Sequence, residues 1–229
     1  MERQVTNHVK VYEKYTSGRS FFTTDIHGHF DLLHEQMKLH AFDTSKDRLY
    51  VGGDSTDRHS DSKYILDYIN EPWFISVQGN HCTMLIDAYE NPNDRNAYEM
   101  LYFNGGQWYY DLEPEHQKQI YESYKSLPVA IEVETSLGKV GIVHAQCPYN
   151  DWNKFKEMTD SELAWNGKAT LQWARSNYDR KYDDIIKGVD VLLVGHSPTR
   201  SGDIEKAGNT WYCDLGSFFR GRLSFIEIT

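Results

Sequence analysis

Cysteine is scarce in this sequence. Cys82, Cys147 and Cys213 are an odd number with no CxxC spacing, so neither a disulfide framework nor a structural zinc knuckle is expected, and the thiols read as reduced. Long apolar runs are missing too: none approaches eighteen residues, and the opening Met1-Glu2-Arg3-Gln4 lacks the apolar stretch of a secretory leader. No membrane-spanning helix is therefore expected, and the reading is of a soluble, cytoplasmic protein. Positive charge is in deficit, with 24 Lys and Arg against 34 Asp and Glu and a formal charge of -10. That sign argues against nonspecific binding to nucleic acid or to an anionic membrane. It would invert locally if several aspartates held cations, because two divalent ions restore about four positive charges.

What is present is a 229-residue chain, 39% hydrophobic and 14% aromatic, enough for one sizeable α/β domain. No internal repeat, low-complexity tract or linker forces a boundary, so residues 1–229 read as a single domain. Apolar, β-branched or aromatic runs of strand length occur at Phe21–Thr24, Leu49–Val51, Phe74–Val77, Val140–Val143 and Val189–Val194, and two more at Thr210–Leu215 and Leu223–Ile228. Phe30, Leu33 and Met37 follow helical spacing, as do Ile65 and Ile69. The stretch from Tyr89 to Pro128, with its Asn-Pro, Gly-Gly and Glu-Pro breakers around a helix near Gln117–Tyr124, reads as an insertion or cap. A polar, Trp-bearing region runs from Tyr149 to Arg180.

The informative residues follow the strands. Asp25-Ile26-His27-Gly28 follows the first, Gly53-Asp54 the second, Gly79-Asn80-His81 the third, His144 the fourth and Gly195-His196 the fifth. In an open α/β sheet the strand ends share one edge, where ligands bind. Singly, each has a plainer reading: Asp25 as a turn residue, Asn80 as a helix cap, any one histidine as core or surface. Together they are oxygen and imidazole donors without thiolate, a set that suits Mn²⁺, Fe or Zn²⁺. A carboxylate with ligands on both sides can bridge two cations about 3.5–4 Å apart, the spacing that clamps an in-line displacement at phosphorus. Asp54, from a central strand, is the candidate bridge.

Taken in order, these motifs, with Gly53-Asp54-Ser55-Thr56-Asp57-Arg58 read in full, resemble the signature of the phosphoprotein phosphatase family of calcineurin-like metallophosphoesterases, in particular its bacteriophage lambda and bacterial members. The likeness runs from about Phe21 to the C-terminus and takes in Pro72-Trp73-Phe74 and Asn104-Gly105-Gly106. It implies a four-layer αββα sandwich of two mixed sheets, and two divalent metals, with Mn²⁺ expected and Fe or Zn²⁺ as alternatives. By matching position Asp25 and His27 would hold one metal, Asn80, His144 and His196 the other, with Asp54 between them. A water held by the metals would attack phosphorus, His81 would protonate the leaving oxygen, and Asp57 would orient His81. Arg58 would bind the phosphate, as would a second arginine, best matched by Arg175, with Lys168 or Arg180 as substitutes.

Two positions depart from that pattern. Cys82 stands where the family has Glu, and His59 where it has Gly, which implies weaker support for the arginine and histidine network and an altered turn at Arg58. A thiol at a helix start beside cations could also be partly ionised. The implied activity is hydrolysis of phosphate monoesters on serine or threonine, with tyrosine as an extension, in phosphorylated proteins. The alternatives are hydrolysis of diadenosine tetraphosphate on the same fold, and a degenerate phosphatase that binds phosphoproteins without turnover.

Overall fold

Two short runs in which every residue is buried, Ser20–Thr23 and Val191–Val194, lie at the middle of two different sheets. A computed structural model describes residues 8–181 and 183–229; the opening tetrapeptide lies outside them. In chain order the elements used below are β1 (Val9–Tyr12), β2 (Ser20–Thr23), α1 (Phe30–Leu39), β3 (Arg48–Val51), β4 (Phe74–Ser76), α2 (Asn80–Glu90), α3 (Arg95–Leu101) and α4 (Pro114–Ser126). They continue with β5 (Ala130–Thr135), β6 (Gly138–Val143), α5 (Trp152–Lys156), α6 (Lys168–Trp173), β7 (Val191–Val194), β8 (Glu205–Ala207), β9 (Thr210–Tyr212), α7 (Ser217–Arg220) and β10 (Ile226–Glu227).

One sheet has the order β1-β5-β6-β7-β9-β8 and the other β10-β2-β3-β4. Both are mixed: β2, β3 and β4 run parallel with β10 antiparallel, and β6, β7 and β9 run parallel with antiparallel neighbours β5 and β8. Three apolar layers hold them. Phe22, Tyr50 and Val77 from the smaller sheet meet Ile131, Ile142 and Leu193 from the larger one. Outside the smaller sheet, Phe30 and Leu33 of α1, Leu85 of α2 and Tyr124 of α4 close a second layer. Outside the larger sheet, Trp152 and Phe155 of α5 and Leu171 of α6 close a third. The result is the expected four-layer α/β sandwich, each fully buried large apolar side chain contributing about 1.5–3 kcal/mol.

Several sequence-level expectations change. The stretch from Tyr89 to Pro128, expected as an insertion or cap, packs into the layer on the smaller sheet, where Leu101, Trp108, Tyr109, Ile120 and Tyr124 are buried. The ninth strand stops at Tyr212 and leaves Cys213 and Asp214 beyond its end, and the tenth is confined to Ile226–Glu227. Strands β1, β5 and β8 carry no counterpart among the runs picked out above.

Candidate metal centre

The backbone at the strand ends is bent in an unusual way. Among the described residues, eight non-glycine residues have positive φ, and six of them are Asp25, His27, Asp54, Asp57, Arg58 and His196. Asp and His tolerate this region better than most residues, yet six such positions in one place store backbone strain of the kind that functional sites hold. The bends are locked by neighbouring strand ends: Asp25 N–H donates to the carbonyl of Gly53, His27 N–H to that of Asp54, and Gly195 N–H to that of His144. Gly79 allows Asp54 to sit where it does, since a Cβ there would fall 2.0 Å from Asp54 Oδ1.

Asp25, His27, Asp54, Asp57, Asn80, His81, His144 and His196 are all buried. Among the described residues, two groups have ligand atoms within 4.8 Å of one another, His27 with Asp54 and His81, and Asp54 with His144 and His196. Asp54 belongs to both. Its Oδ2 is 3.2 Å from His144 Nε2 and 3.8 Å from His81 Nε2, and its Oδ1 accepts the His81 N–H at 3.1 Å. Asn80 Oδ1 lies 2.8 Å from His144 Nε2 and 3.1 Å from His196 Nδ1. Asp25 sits at the margin, 3.9 Å from His27 Nε2, and accepts the His196 N–H at 2.9 Å and the Thr24 hydroxyl at 2.6 Å.

Each imidazole spends one ring N–H on a group that can only accept. His27 Nδ1 donates to the carbonyl of Thr56 at 3.0 Å, His144 Nδ1 to that of Gly52 at 2.7 Å, and His196 Nε2 to that of Trp173 at 3.2 Å. His81 Nδ1 donates to Asp57 Oδ2 at 2.5 Å. The nitrogens left over face one another, Asp54 and Asn80. His144 Nε2 in particular meets two acceptors, an arrangement that only a proton or a cation between them relieves. This is how histidines are fixed when they ligate metals, so the donor set fits divalent cations.

The electrostatics agree. Burial disfavours charge on His144, but Asp54 outweighs it and lifts the imidazole to about 9. Asp54 is held well below the usual carboxylate range, burial notwithstanding, by His144 and His81. Burial first, and Asp214 second, push Asp25 well above that range, and burial pushes Asp214 up to about 6. His196 drops to about 3 through burial and then the charge of His144. Cations bound among these acids would displace their protons.

Arg58 turns to the imidazoles and not to its neighbour Asp57: NH1 is 3.1 Å from His27 Nε2 and NH2 3.2 Å from His81 Nε2. Arg175 donates NH1 to the carbonyl of His196 at 2.7 Å. Lys168 instead lines a separate cleft with Lys10 and Lys125, and Arg180 is an exposed residue at the end of a four-residue helix. His59 has ordinary extended backbone, φ -136°; the left-handed turn falls on Asp57 and Arg58, so the residue that replaces Gly leaves the turn intact. Cys82 is buried in the helical layer. Desolvation, and after it the charge of Asp54, raise its thiol, the opposite direction to partial ionisation.

Sequence reasoning missed three contributors. Asp214 escaped because β9 was drawn too long to show that it, too, is a strand-end residue. Trp108 Nε1 donates to Asp57 Oδ1 at 2.7 Å, and no spacing announces such a contact. Phe218 stacks on the Arg58 guanidinium, 4.3 Å from the ring centroid.

The calcineurin-like phosphoesterase family model matches residues 18–215. Serine/threonine-protein phosphatase 2 of Escherichia coli (strain K12) is 33% identical over 207 residues, 89% of this chain and 90% of that protein. Serine/threonine-protein phosphatase 1 of Salmonella typhimurium is 30% identical over 210 residues, 89% of each. Among solved structures, a putative diadenosine tetraphosphatase superposes with TM-score 0.63 at 18% identity, covering 95% of this chain and 91% of that one. No helix among the described residues is long and apolar enough to cross a membrane. Matched over most of its length and a third identical to such relatives, the chain belongs to the calcineurin-like phosphoesterase family and is a metal-dependent phosphatase.

Proposed function

We propose that this chain, acting as one catalytic domain over residues 1–229, removes phosphate from phosphorylated serine and threonine in proteins. The carrying observation is that four buried imidazoles each commit one N–H and turn the remaining nitrogen toward Asp54 and Asn80. Asp25 and His27 are assigned to one divalent cation and Asn80, His144 and His196 to the other, with Asp54 shared. Mn²⁺ is the proposed metal, on the oxygen and imidazole donor set. When bound, the pair supplies Lewis-acid stabilisation of phosphoryl oxygens and a nucleophilic water at neutral pH.

The chain's own groups do the rest. Arg58 and Arg175, whose forked donors suit an oxyanion, orient the phosphate and balance its shifting charge. His81 delivers a proton from Nε2 to the leaving oxygen while Asp57 holds its Nδ1–H. Asp57 can do so because its other oxygen is satisfied by Trp108. His81 also lies within the first donor group; assigning it as the acid follows from its Asp57 partner, a carboxylate–histidine pair of the kind that orients catalytic imidazoles.

The test is metal analysis with turnover of p-nitrophenyl phosphate, a phosphopeptide and diadenosine tetraphosphate in Mn²⁺. Asp54→Asn is expected to lose nearly all turnover and at least one equivalent of metal, because a neutral amide cannot bridge two cations. Wild-type rates in that variant, or full activity after verified metal removal, would sink the two-cation reading. Preferred turnover of the dinucleotide would replace the protein substrate and leave the centre standing.

A further inference from the structure

A cleft of about 650 Å³, none of whose lining residues belongs to the metal centre, is bordered by Lys10, Lys125 and Lys168, with Asp160 as the carboxylate among them. In a chain with 34 acidic residues against 24 Lys and Arg, the balance of charge is reversed here. Lys125 is engaged by Glu90 at 2.5 Å and by the Tyr121 hydroxyl at 2.7 Å, so Lys10 and Lys168, both exposed, supply the charge that a ligand would meet. Val9, Leu127 and Leu163 add apolar surface. The cleft also runs along a strand. All four residues from His8 to Val11 line it, and β1 pairs with β5 on one side and ends its sheet on the other. Among the described residues no strand covers that outer edge, which therefore presents backbone donors and acceptors without a ladder partner.

Lysine on an edge strand commonly discourages pairing. Lys10 shares its cleft with a second exposed lysine and with apolar side chains, and such a surface discourages strands of like charge while suiting one of opposite charge. Two walls of the cleft lead to the centre. Gln78 lines it and stands two residues before Asn80. Lys168 opens α6, whose last residue, Trp173, gives its carbonyl to His196, and that helix spans about 7–8 Å. We propose that the cleft is a docking site for the protein substrate. An extended segment in which acidic and apolar side chains alternate adds to the edge of β1, its main chain bonding the strand and its carboxylates meeting Lys10 and Lys168. At roughly 3.3–3.6 Å per extended residue, a segment that starts about three residues from the phosphorylated serine or threonine reaches the cleft. This inference rests on the reading of the chain as a protein phosphatase and adds the kind of sequence that the substrate carries beside its phosphoryl group.

The experiment reads fluorescence anisotropy of a labelled, unphosphorylated Glu-Val-Glu-Val-Glu-Val peptide on wild type, Lys10→Glu, Lys168→Glu and the double variant, with the Lys-Val-Lys-Val-Lys-Val peptide as its counterpart. The acidic peptide is expected to bind and the basic one not; each charge reversal weakens binding about fivefold and the pair at least tenfold. Lys10→Glu keeps wild-type turnover of p-nitrophenyl phosphate, which shows that the variant is folded and its centre intact. Binding of both peptides alike, no binding of the acidic one, or binding indifferent to both reversals overturns the proposal. So does displacement of the acidic peptide by a hexanucleotide at equal concentration, which would make the cleft a site for any polyanion. The second arm compares a phosphoseryl peptide with and without the acidic segment three residues away, placed on each side in turn. The segment is expected to lower KM at unchanged kcat on one side, and Lys10→Glu to erase the gain. Equal KM values remove the docking proposal alone; hydrolysis of p-nitrophenyl phosphate with no turnover of either phosphopeptide removes the protein-substrate reading and this proposal with it.

Discussion

The imidazole of His81 is held at both ring nitrogens, by Asp57 on one side and by the Arg58 guanidinium on the other. The general-acid role proposed for His81 matters most when the leaving group is a poor one. His81→Asn is expected to slow hydrolysis of a phosphoseryl peptide by about 10²–10⁴-fold and to slow p-nitrophenyl phosphate far less, since that phenolate leaves without a proton. Equal losses on both substrates would assign His81 to the cations instead. Cys82, its neighbour, has the opposite character. Buried beside Leu85 and Tyr124, the neutral thiol serves as a small apolar group. Cys82→Ser should leave metal content unchanged and cost about 1–3 kcal/mol of stability through burial of a hydroxyl; loss of metal in that variant would make the sulfur a ligand. Neither role can be inferred from the side chain alone, because burial decides whether a thiol near a helix start ionises.

Elements carry the site in two ways, as strand ends that deliver donors and as loops that brace them. Gly105 is the clearest brace. Its carbonyl accepts the Arg58 N–H at 3.0 Å, its φ is +98°, and a Cβ would fall 2.5 Å from the Arg58 nitrogen. Gly105→Ala is expected to lower kcat/KM at least tenfold with metal content unchanged, because the damage falls on phosphate binding and not on the cations. Simultaneous loss of metal would show that the brace supports the whole centre. The five strand ends were legible in the sequence because a polar donor ends an apolar run at each, with a glycine close by at all but His144. Strands β1 and β8 were not, since both lie at sheet edges, where Lys10, Glu205 and Lys206 replace the apolar signal. β5 was hidden by Glu132, a buried carboxylate that would read as solvent-facing but accepts Trp152 Nε1 at 2.6 Å and Lys156 Nζ at 2.8 Å.

At the scale of the whole molecule, acid is the stress to which a chain of charge -10 is best tested. Asp47, away from the centre, is buried and accepts Arg19 NH2 at 2.6 Å, Arg19 N–H at 2.9 Å and Asp43 N–H at 2.9 Å. It thereby joins the segments that lead into β2 and β3. Burial alone would raise its carboxyl, yet the bonds from Arg19 and from the backbone of Asp43 and Arg19 hold it below the usual carboxylate range. A depressed folded value means that this contribution is complete above the unfolded pKa of about 3.9 and is lost as pH falls through the folded value. Asp47→Asn is expected to cost about 2 kcal/mol near pH 7, roughly 4–8 °C in Tm, and the gap should close as the solution is taken below about pH 4. A gap that stays constant down to pH 3 would remove the carboxylate's charge from the explanation.

The hydrogen bonds from His196 and Ser217 to Asp25 span 171 and 192 residues of sequence, and that separation has a consequence for the chain as it is made. Synthesis proceeds at about 5–20 residues per second, so roughly 10–40 s pass between the appearance of Asp25 and that of Asp214. From the appearance of Asn80 onward the nascent chain carries Asp25, His27, Asp54 and Asn80 without the partners that β7 and β9 bring. On the proposed assignment, a cation captured then would be held by an incomplete set of donors and would remain free to exchange. Its final occupants would be selected only when the C-terminal strands dock, after synthesis, by whichever ions the completed cage meets.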